Sequence, residues 1–242
     1  MNINFRTIIY LILFIIWPNL VLADEINMGH EHNTEMFHSF RLELDTGSSD
    51  KAKTVSRWDL DGAIGGDINK LWLKSEGELL NDDKISTAEY WGLYSRNIAD
   101  FWDGQIGFRY DAKPQDITYL TMGFKGLAPY FFETEAHLFV SNDGDVSARL
   151  KEEQDLNLTQ KIILKPYLEI NFSFNNVENQ EIGRGFTNGE FGIQTRYEIT
   201  KKFAPYFDLR YENKFGSTSR LADKNGEDAD SFVASLGLMF KF

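Results

Sequence analysis

The segment Lys161-Ile-Ile-Leu-Lys-Pro-Tyr-Leu-Glu-Ile-Asn-Phe-Ser-Phe174 carries a regular alternation of side-chain types. From Ile162 to Phe174 every second residue is apolar, counting the proline, and from Lys165 onward the residues between them are Lys, Tyr, Glu, Asn and Ser. Successive side chains of a β-strand lie on opposite faces. The pattern therefore predicts a strand with one apolar face and one polar face.

The same period of two recurs along most of the chain. It is clear in Leu71–Glu78, in Trp102–Asp111 and in Glu190–Ile199. Within 145–157 it places Glu152 on the apolar face, so a shifted register or a bulge is left open there. Turn residues separate the alternating segments and define about twelve strands. These strands lie near 36–45, 54–64, 69–79, 87–97, 100–111, 116–126, 129–141, 145–157, 161–174, 187–200, 203–214 and 231–242.

Alternation by itself fits two kinds of all-β protein. In a soluble sandwich the apolar faces form the core, whereas in a membrane barrel they face lipid and the ionic faces line the lumen. Here the strand number is even, short turns alternate with mostly longer loops, and Phe232–Phe242 is an apolar strand that ends in phenylalanine. The first two features are typical of outer-membrane barrels, and the third resembles their assembly signal. We therefore predict a transmembrane antiparallel up-and-down β-barrel over 36–242, with its short turns in the periplasm.

The N-terminal residues predict export. Arg6 precedes an apolar run, Ile8–Trp17, and Ala23 is a small residue at a suitable cleavage position. This is the layout of a secretory signal peptide over 1–23. The apolar run is too short for a spanning helix, which needs about 20 residues. We expect a mobile segment over 24–35, followed by the barrel in the cell outer membrane.

Composition excludes several classes of function. The formal net charge of −12 argues against nucleic-acid binding, which needs a basic surface. The chain has no cysteine, so disulfides, thiolate metal sites and thiol nucleophiles are excluded. An aromatic content of 14% is too high for a low-complexity disordered chain. These exclusions leave a folded, exported β-protein.

One candidate metal site lies on the predicted inner face of the barrel. Glu133, Glu135 and His137 alternate along one strand and so share a face, each about 7 Å from the next. Met239 also projects inward in this interpretation. These residues could supply oxygen, nitrogen and sulfur ligands to a metal ion. A hydrogen-bonded cluster or mutual ion pairs would use the same side chains, and the sequence leaves these alternatives open.

A second candidate site precedes the barrel. Three of the four histidines lie in one short segment together with two methionines. Imidazole suits Cu(II), and thioether sulfur suits Cu(I). A zinc or nickel site fits almost as well, and a polar tail that happens to contain histidine is the alternative. The candidate ligands are Met28, His30, His32, Met36 and His38.

From about residue 36 to 242 the sequence resembles the copper resistance protein B family of outer-membrane proteins. The resemblance is carried by Trp58-Asp59-Leu60-Asp61, 64–78, Leu93-Tyr94-Ser95-Arg96, Phe101-Trp102-Asp103, 126–133, Leu158-Thr159-Gln160, Arg196-Tyr197-Glu198-Ile199 and Phe203-Ala204-Pro205-Tyr206. It implies a copper-binding barrel that works with a periplasmic multicopper oxidase in copper tolerance. Many members carry a long Met/His-rich region before the barrel, which is reduced here to Asp24–His38.

Together these observations predict an outer-membrane protein that binds copper, as Cu(I), Cu(II) or both, and sequesters or exports it. We expect no catalytic residues and no cofactor beyond the copper that it binds. Two alternatives remain. A small general porin is disfavoured because long charged side chains should narrow the lumen. An outer-membrane hydrolase is disfavoured because no Gly-x-Ser-x-Gly motif occurs and because His137, the one histidine on the inner face, has no serine near it on that face.

Overall fold

The computed structural model describes residues 36–52, 54–81, 84–226 and 228–242. The predicted signal peptide, the predicted segment over 24–35, and the candidate ligands Met28, His30 and His32 therefore lie outside the described residues. In the described part of the chain, no helix is long and apolar enough to cross a membrane.

The described chain forms one antiparallel β-sheet that closes on itself. Each strand pairs with the next along the chain, except for two consecutive strands that both pair with the strand after them, and the last strand pairs with the first. The one α-helix among the described residues, α1 (Gly216–Asn225), precedes the last strand. The strands are β1 (Phe37–Ser49), β2 (Val55–Gly65), β3 (Asn69–Leu80), β4 (Lys84–Ala99), β5 (Trp102–Lys113), β6 (Ile117–Ala128), β7 (Phe132–Ser141), β8 (Val146–Glu153), β9 (Leu156–Asn157), β10 (Ile162–Ser173), β11 (Gly185–Tyr197), β12 (Phe203–Lys214) and β13 (Asp230–Lys241).

Strands β8 and β9 are two pieces of one spanning strand, so the barrel has twelve, as predicted. Both pieces pair with β10 in a single register, in which Glu153 lies opposite Tyr167 and Leu156 opposite Leu164. Between these pairs stands Pro166, which has no N–H to donate to the ladder. Its carbonyl still accepts a hydrogen bond of 3.2 Å from the backbone N–H of Gln154. The missing donor explains the interruption of the strand.

The register around Glu152 contains no bulge. Glu152 lies opposite Thr134 of β7 and Leu168 of β10, on the outer face. The Thr134 hydroxyl donates a 2.7 Å hydrogen bond to the Glu152 carboxylate. The ladder therefore has neither a shifted register nor a bulge at this point. The charged Glu152 side chain stays on the outer face, where the Thr134 hydroxyl partners it.

The two faces of the sheet have opposite chemistry. Outer-face side chains are apolar and exposed, for example Phe108 (62% exposed) and Leu236 (66%). Inner-face side chains are charged and buried, for example Arg210 (1%) and Arg196 (3%). This inverts the arrangement of a soluble protein. It matches a barrel whose outer face lies in lipid and whose inner face lines a lumen.

The two ends of the barrel differ in their connections. The turn end carries the tight connections at 66–68 and 100–101. The loop end carries the two longest connections, 174–184 and 215–229, the second of which contains α1. The sequence predicted that short turns alternate with mostly longer loops. Only the connections 174–184 and 215–229 are clearly longer than the turns, because the loop-end connections 81–83 and 114–116 are as short as the turns.

The two long loops pack against each other over the loop end. The backbone N–H of Gly183 donates a 3.0 Å hydrogen bond to the Thr218 hydroxyl in α1. Val177 is buried. The Gln115 side chain, in the β5–β6 connection, donates to the Asn179 carbonyl. Loop 174–184 therefore reaches from its own strands to the far side of the mouth.

Trypsin digestion of intact cells should report which end of the barrel faces outward. If the loop end is outside, we expect cleavage after Arg220 or Lys224 in α1, both of which are exposed. Lys201 and Lys202, which are equally exposed but lie at the turn end, should be spared. Mass spectrometry of the fragments identifies the sites, and cleavage after Lys201 with α1 intact would show the opposite orientation.

Candidate functional site

Ion pairs cross the barrel interior from wall to wall. They join strands that are not neighbours in the sheet, so they fill the lumen and do not merely line it. The crossing pairs include Lys74–Glu135 (2.6 Å), Lys125–Asp61 (3.1 Å), Arg149–Glu76 (2.6 Å), Arg57–Glu190 (2.9 Å) and Arg41–Glu153 (3.2 Å). Most of these side chains are largely removed from solvent, so each charge relies on its partner for stabilisation.

A compact charge quartet forms from Asp61 of β2, Lys74 of β3, Lys125 of β6 and Glu135 of β7. The Glu135 carboxylate accepts a 2.6 Å hydrogen bond from each of the two lysines. Asp61 lies 3.1 Å from the Lys125 ammonium group and 3.5 Å from that of Lys74. The Trp72 indole N–H donates to Asp61 at 2.9 Å. The quartet links four strands across the lumen and satisfies its charges internally.

An aromatic wall faces the lumen on strands β4, β6 and β7. It consists of Trp91, Tyr119 and Phe139, all of them buried. The Arg109 guanidinium lies over all three rings, 4.9 to 5.4 Å from their centroids. It also pairs with Asp111 at 2.6 Å. Such cation–π contacts stabilise a desolvated cation. The aromatic wall therefore stabilises the Arg109 guanidinium where water would otherwise solvate it.

His137 lies on the inner face beside this wall, but the neighbouring carboxylates do not contact it. Its ring packs edge-on against Trp91, with centroids 5.3 Å apart. Its Nε2 lies 2.9 Å from the Gln105 side-chain oxygen. Glu135 is engaged by its two lysines, and Glu133 is exposed near the turn end. The three residues therefore share a strand face, but the hydrogen-bond partner of the His137 ring is Gln105 and not one of the two carboxylates.

Met239 lies on the opposite wall from His137. It is on β13, which is flanked by β12 and β1, whereas His137 is on β7. Its side chain is fully buried against Ala204 and Tyr206. Within the described residues, no group of three or more His, Cys, Asp or Glu side chains is arranged to hold a metal ion.

The two described ligands of the N-terminal set lie at the turn end. Met36 immediately precedes β1 and is exposed. His38 lies in β1, opposite Ile64 of β2, and is also exposed. Because it is three residues from the inward-facing Arg41, His38 is on the outer face. The structure places neither side chain in the lumen.

A small interior cavity adjoins His137. The space open to the centre of a water molecule is about 10 Å³, which is room for one water. Its lining contains three carboxylates and three cationic groups, so their charges balance, and the His137 imidazole lies among them. The lining residues are Lys74, Glu76, Trp91, Glu135, His137, Arg149, Lys151 and Glu169.

Gln105, which contacts His137, and Ser95, which contacts Gln105, were not predicted from the sequence as site residues. Both side chains are uncharged and are not typical metal ligands, so neither residue type indicates a site in the sequence. The alternation of Trp102–Asp111 places Gln105 on the inner face. Gly123 lies between Gln105 and His137 in the sheet, and its lack of a side chain is the feature that could have indicated a contact between them. The His137 ring crosses over Gly123, whose added Cβ would lie 2.6 Å from the ring carbon Cδ2.

Comparison with known proteins gives one family and one fold. The model of the family described as "Copper resistance protein B precursor (CopB)" matches residues 35–242. The chain is 38% identical to Copper resistance protein B of Escherichia coli over 92% of this chain and 69% of the relative. It is also 38% identical to a Copper resistance protein B homolog of Pseudomonas syringae pv. tomato, over 76% of this chain and 63% of that relative. The chain thus spans about two thirds of the length of these relatives.

Two solved porins share the fold at low sequence identity. The NanC porin superposes with a TM-score of 0.59 and 13% identity, over 83% of this chain and 100% of that chain. The KdgM porin, solved in complex with disordered oligogalacturonate, gives a TM-score of 0.53 and 10% identity over 84% and 99%. At this identity the likeness shows the fold alone. It agrees with the closed, lipid-facing barrel described above.

Replacing Glu135 by glutamine should destabilise the barrel, because Lys74 and Lys125 would lose their shared carboxylate. Breaking a buried pair on one side costs about 3 kcal/mol or more. Glu152→Gln is the matched control, since Glu152 is on the outer face of the next strand, where it accepts a hydrogen bond from Thr134. We expect its effect to stay within about 1 kcal/mol. Urea unfolding of the refolded protein measures both, and equal losses would contradict the bracing role of the quartet.

Proposed function

The chain belongs to the copper resistance protein B family, and from this premise we propose that it captures copper at the outer membrane through its N-terminal Met/His residues. The family match over 35–242 carries the copper assignment. The same match identifies the chain as an outer-membrane β-barrel protein of copper resistance. Within that role, the N-terminal residues and the barrel interior have different tasks.

We assign capture to Met28, His30, His32, Met36 and His38. Imidazole and thioether groups together accept both oxidation states of copper. The exposure of Met36, which immediately precedes β1 at the turn end, supports this assignment, because an incoming ion reaches it without entering the barrel. In the predicted orientation the turn end faces the periplasm, where copper has to be intercepted. Residues 24–35 would present the remaining ligands after removal of a signal peptide over 1–23.

The filled lumen supports sequestration at the turn end over free passage. Lysine and arginine side chains cross the interior and are matched by carboxylates from other strands. An ion that travels through the barrel has to separate such pairs. Export would therefore proceed by steps between sites and not by diffusion through an open pore.

Among the proposed interior ligands, His137 needs the smallest rearrangement to bind copper. Glu135 would have to release two lysines, and Met239 is packed on the far wall. Glu133, near the turn end, would serve as an entry group. The order of contact that we propose is the N-terminal residues first, Glu133 next and His137 last.

We further propose a non-catalytic role and a partnership with a periplasmic multicopper oxidase. The partnership is implied by the family resemblance. The exposed turn-end residues support it, because they are available to a soluble protein in the periplasm. The oxidase would supply the redox chemistry, and the barrel would supply binding.

The N-terminal assignment predicts a loss of copper stoichiometry without loss of stability. We expect the full chain with His30→Ala and His32→Ala to bind fewer copper ions in calorimetric titration, while urea unfolding of the barrel is unchanged. The matched control carries Asn27→Ala and Asn33→Ala in the same segment and should bind as the native chain does. Full stoichiometry together with full copper tolerance of the host in the histidine variant would refute the assignment.

The closed lumen predicts low ion conductance in planar bilayers. Replacing Lys74 and Glu135 together by alanine removes a neutral pair and leaves the Lys125–Asp61 pair in place. This variant should show conductance steps that the native protein lacks. The control, Leu150→Ala with Glu152→Ala on the outer face of β8, should remain closed. Frequent large openings of the native protein would instead favour the general-porin alternative.

A further inference from the structure

We propose that a cluster of carboxylates near the loop end makes the lumen selective for cations, and that Arg210 is the resident positive charge that an entering cation displaces. This inference rests on the proposed function for its cargo and adds the sign of the charge that the barrel admits. It follows from an excess of acidic side chains around one buried guanidinium group.

The cluster lies on the loop-end side of the charge quartet, on the wall that runs from β11 through β13 and β1 to β3. Strand pairing brings its members together. Glu190 lies opposite Glu212. Arg57 lies opposite both Asp45 and Glu78. Five carboxylates and two guanidinium groups give the cluster a formal charge of three negative units. The members are Asp45, Arg57, Glu78, Glu190, Asp208, Arg210 and Glu212.

One of the two guanidinium groups is committed to a single carboxylate. Arg57 donates two hydrogen bonds to Glu190, of 2.9 and 3.0 Å, through its two terminal nitrogens. This bidentate pair is the strong form of an arginine–carboxylate contact. Arg210 is therefore left as the cation for the other four carboxylates of the cluster.

Arg210 is buried but is held by few hydrogen bonds. Its exposed fraction is 1%, and its Nε donates to Glu212 at 2.9 Å. Nη1 lies 3.5 Å from Asp208 and 3.7 Å from Asp45, and Nη2 lies 3.6 Å from Glu78. Neither Nη atom has a hydrogen-bond partner among the described residues. Charge attraction alone holds them, so a cation that takes their place restores the attraction and breaks no hydrogen bond at Nη.

Other unpartnered polar atoms lie beside this guanidinium. Within the described part of the chain, eight buried side-chain nitrogen or oxygen atoms lack a hydrogen-bond partner, and four of them are here. Besides the two Nη atoms of Arg210 they are Oδ1 of Asp45 and Oγ of Ser235, which lies opposite Asp208. Buried polar atoms are ordinarily hydrogen-bonded. Carboxylate and hydroxyl oxygens are able to receive a cation, and the Nη atoms are what that cation pushes aside.

Tyrosine hydroxyls stabilise two of the carboxylates without neutralising them. The Tyr167 hydroxyl lies 3.0 and 3.1 Å from the two carboxylate oxygens of Asp208, to which it donates. The Tyr206 hydroxyl donates to Oδ2 of Asp45 at 3.1 Å. A phenol brings no positive charge. The negative excess of the cluster therefore remains.

The opposite wall reinforces this excess toward the loop end. There Arg109 and Arg149 are shared among four carboxylates, namely Glu76, Glu89, Asp111 and Glu169. The charge quartet, by contrast, is neutral. A narrow space lined by one sign of charge concentrates ions of the opposite sign. A cation that has passed the quartet is thus drawn toward the loop end, and an anion is opposed.

Reversal potentials in planar bilayers test the selectivity. The full chain with Lys74→Ala and Glu135→Ala, which we expect to conduct, should favour K⁺ over Cl⁻ about 10-fold or more under a KCl gradient. Adding Arg210→Gln should raise this ratio, because the resident cation is removed. Arg210→Lys keeps the charge and should match the parent. Glu152→Gln, which removes a carboxylate from the outer face, is the control and should leave the ratio unchanged.

Removing negative charge from the cluster should have the opposite effect. Asp45→Asn with Glu78→Gln in the same conducting background should lower the preference for K⁺. This variant keeps Arg210 and so tests the cluster even if Arg210→Gln does not fold. Equal permeability of K⁺ and Cl⁻ in the conducting parent, or an unchanged ratio in the Asp45 and Glu78 variant, would overturn the inference.

A second measurement needs no open pore. In the otherwise native full chain, Tb(III) serves as a probe that prefers carboxylate oxygens, and excited tyrosines such as Tyr167 sensitise its emission. Arg210→Gln should reach half of its maximal emission at a Tb(III) concentration about 10-fold lower than Arg210→Lys does. Adding Asp45→Asn to Arg210→Gln should remove this gain. Identical titration curves for the Gln and Lys variants would show that Arg210 is not displaced by cations.

Failure of this inference is distinguishable from failure of the proposed function. Calorimetric titration of the native chain with copper tests capture and does not depend on Arg210. If copper binds but the lumen shows no preference for cations, only this inference fails. If the native chain binds no copper, the proposed function fails, whatever the selectivity of the lumen.

Discussion

Many charged side chains on the inner face of this barrel are neutralised by partners that reach across the lumen from other walls. Lys74 and Lys125 converge on Glu135 and Asp61 from different strands, and Arg149 reaches Glu76 and Glu89 in the same manner. Ions removed from bulk water are tolerated only when their partners and hydrogen bonds are well placed. The network therefore fixes the distance between opposite walls, and it lets a twelve-stranded barrel enclose an interior that is both highly charged and nearly filled.

This network constrains any account of copper handling. Carboxylates are abundant in the lumen, yet those that bind lysine and arginine are unavailable to a metal ion unless a pair separates. A neutral imidazole such as that of His137 has no charge to be neutralised, so it can bind a metal ion without the separation of an ion pair. A charged interior is therefore compatible with a small number of true ligands, and our proposal places first contact with copper at the N-terminal Met/His residues.

The sequence predicted the strands well, because the period of two follows directly from backbone geometry. Twelve spanning strands were expected and found, and the inward positions of Lys165, Glu169 and Arg196 were right. The contacts across the lumen could not be predicted in this way. Which inner residue meets which depends on strand tilt and on closure of the sheet, and these are not encoded in any single strand. Glu135 and His137 were predicted to share the inner face, with a metal site and mutual ion pairs both left open, and the structure shows Glu135 bonded to two lysines. The outward position of His38 could have been predicted from its odd spacing to Arg41.

The gap in the ladder at Pro166 has a mechanical consequence. A closed sheet carries lateral load through its backbone hydrogen bonds, and between β10 and the strand formed by β8 and β9 one of those bonds is missing. At the same height the Arg196 guanidinium, on β11, passes over β10 to pair with Asp155, the residue just before β9. A side-chain contact thus bridges the place where the backbone ladder is interrupted. Separating β10 from the strand formed by β8 and β9 therefore breaks one backbone bond fewer than an uninterrupted ladder of the same length, and the Arg196–Asp155 contact adds a side-chain link between the strands on either side of β10.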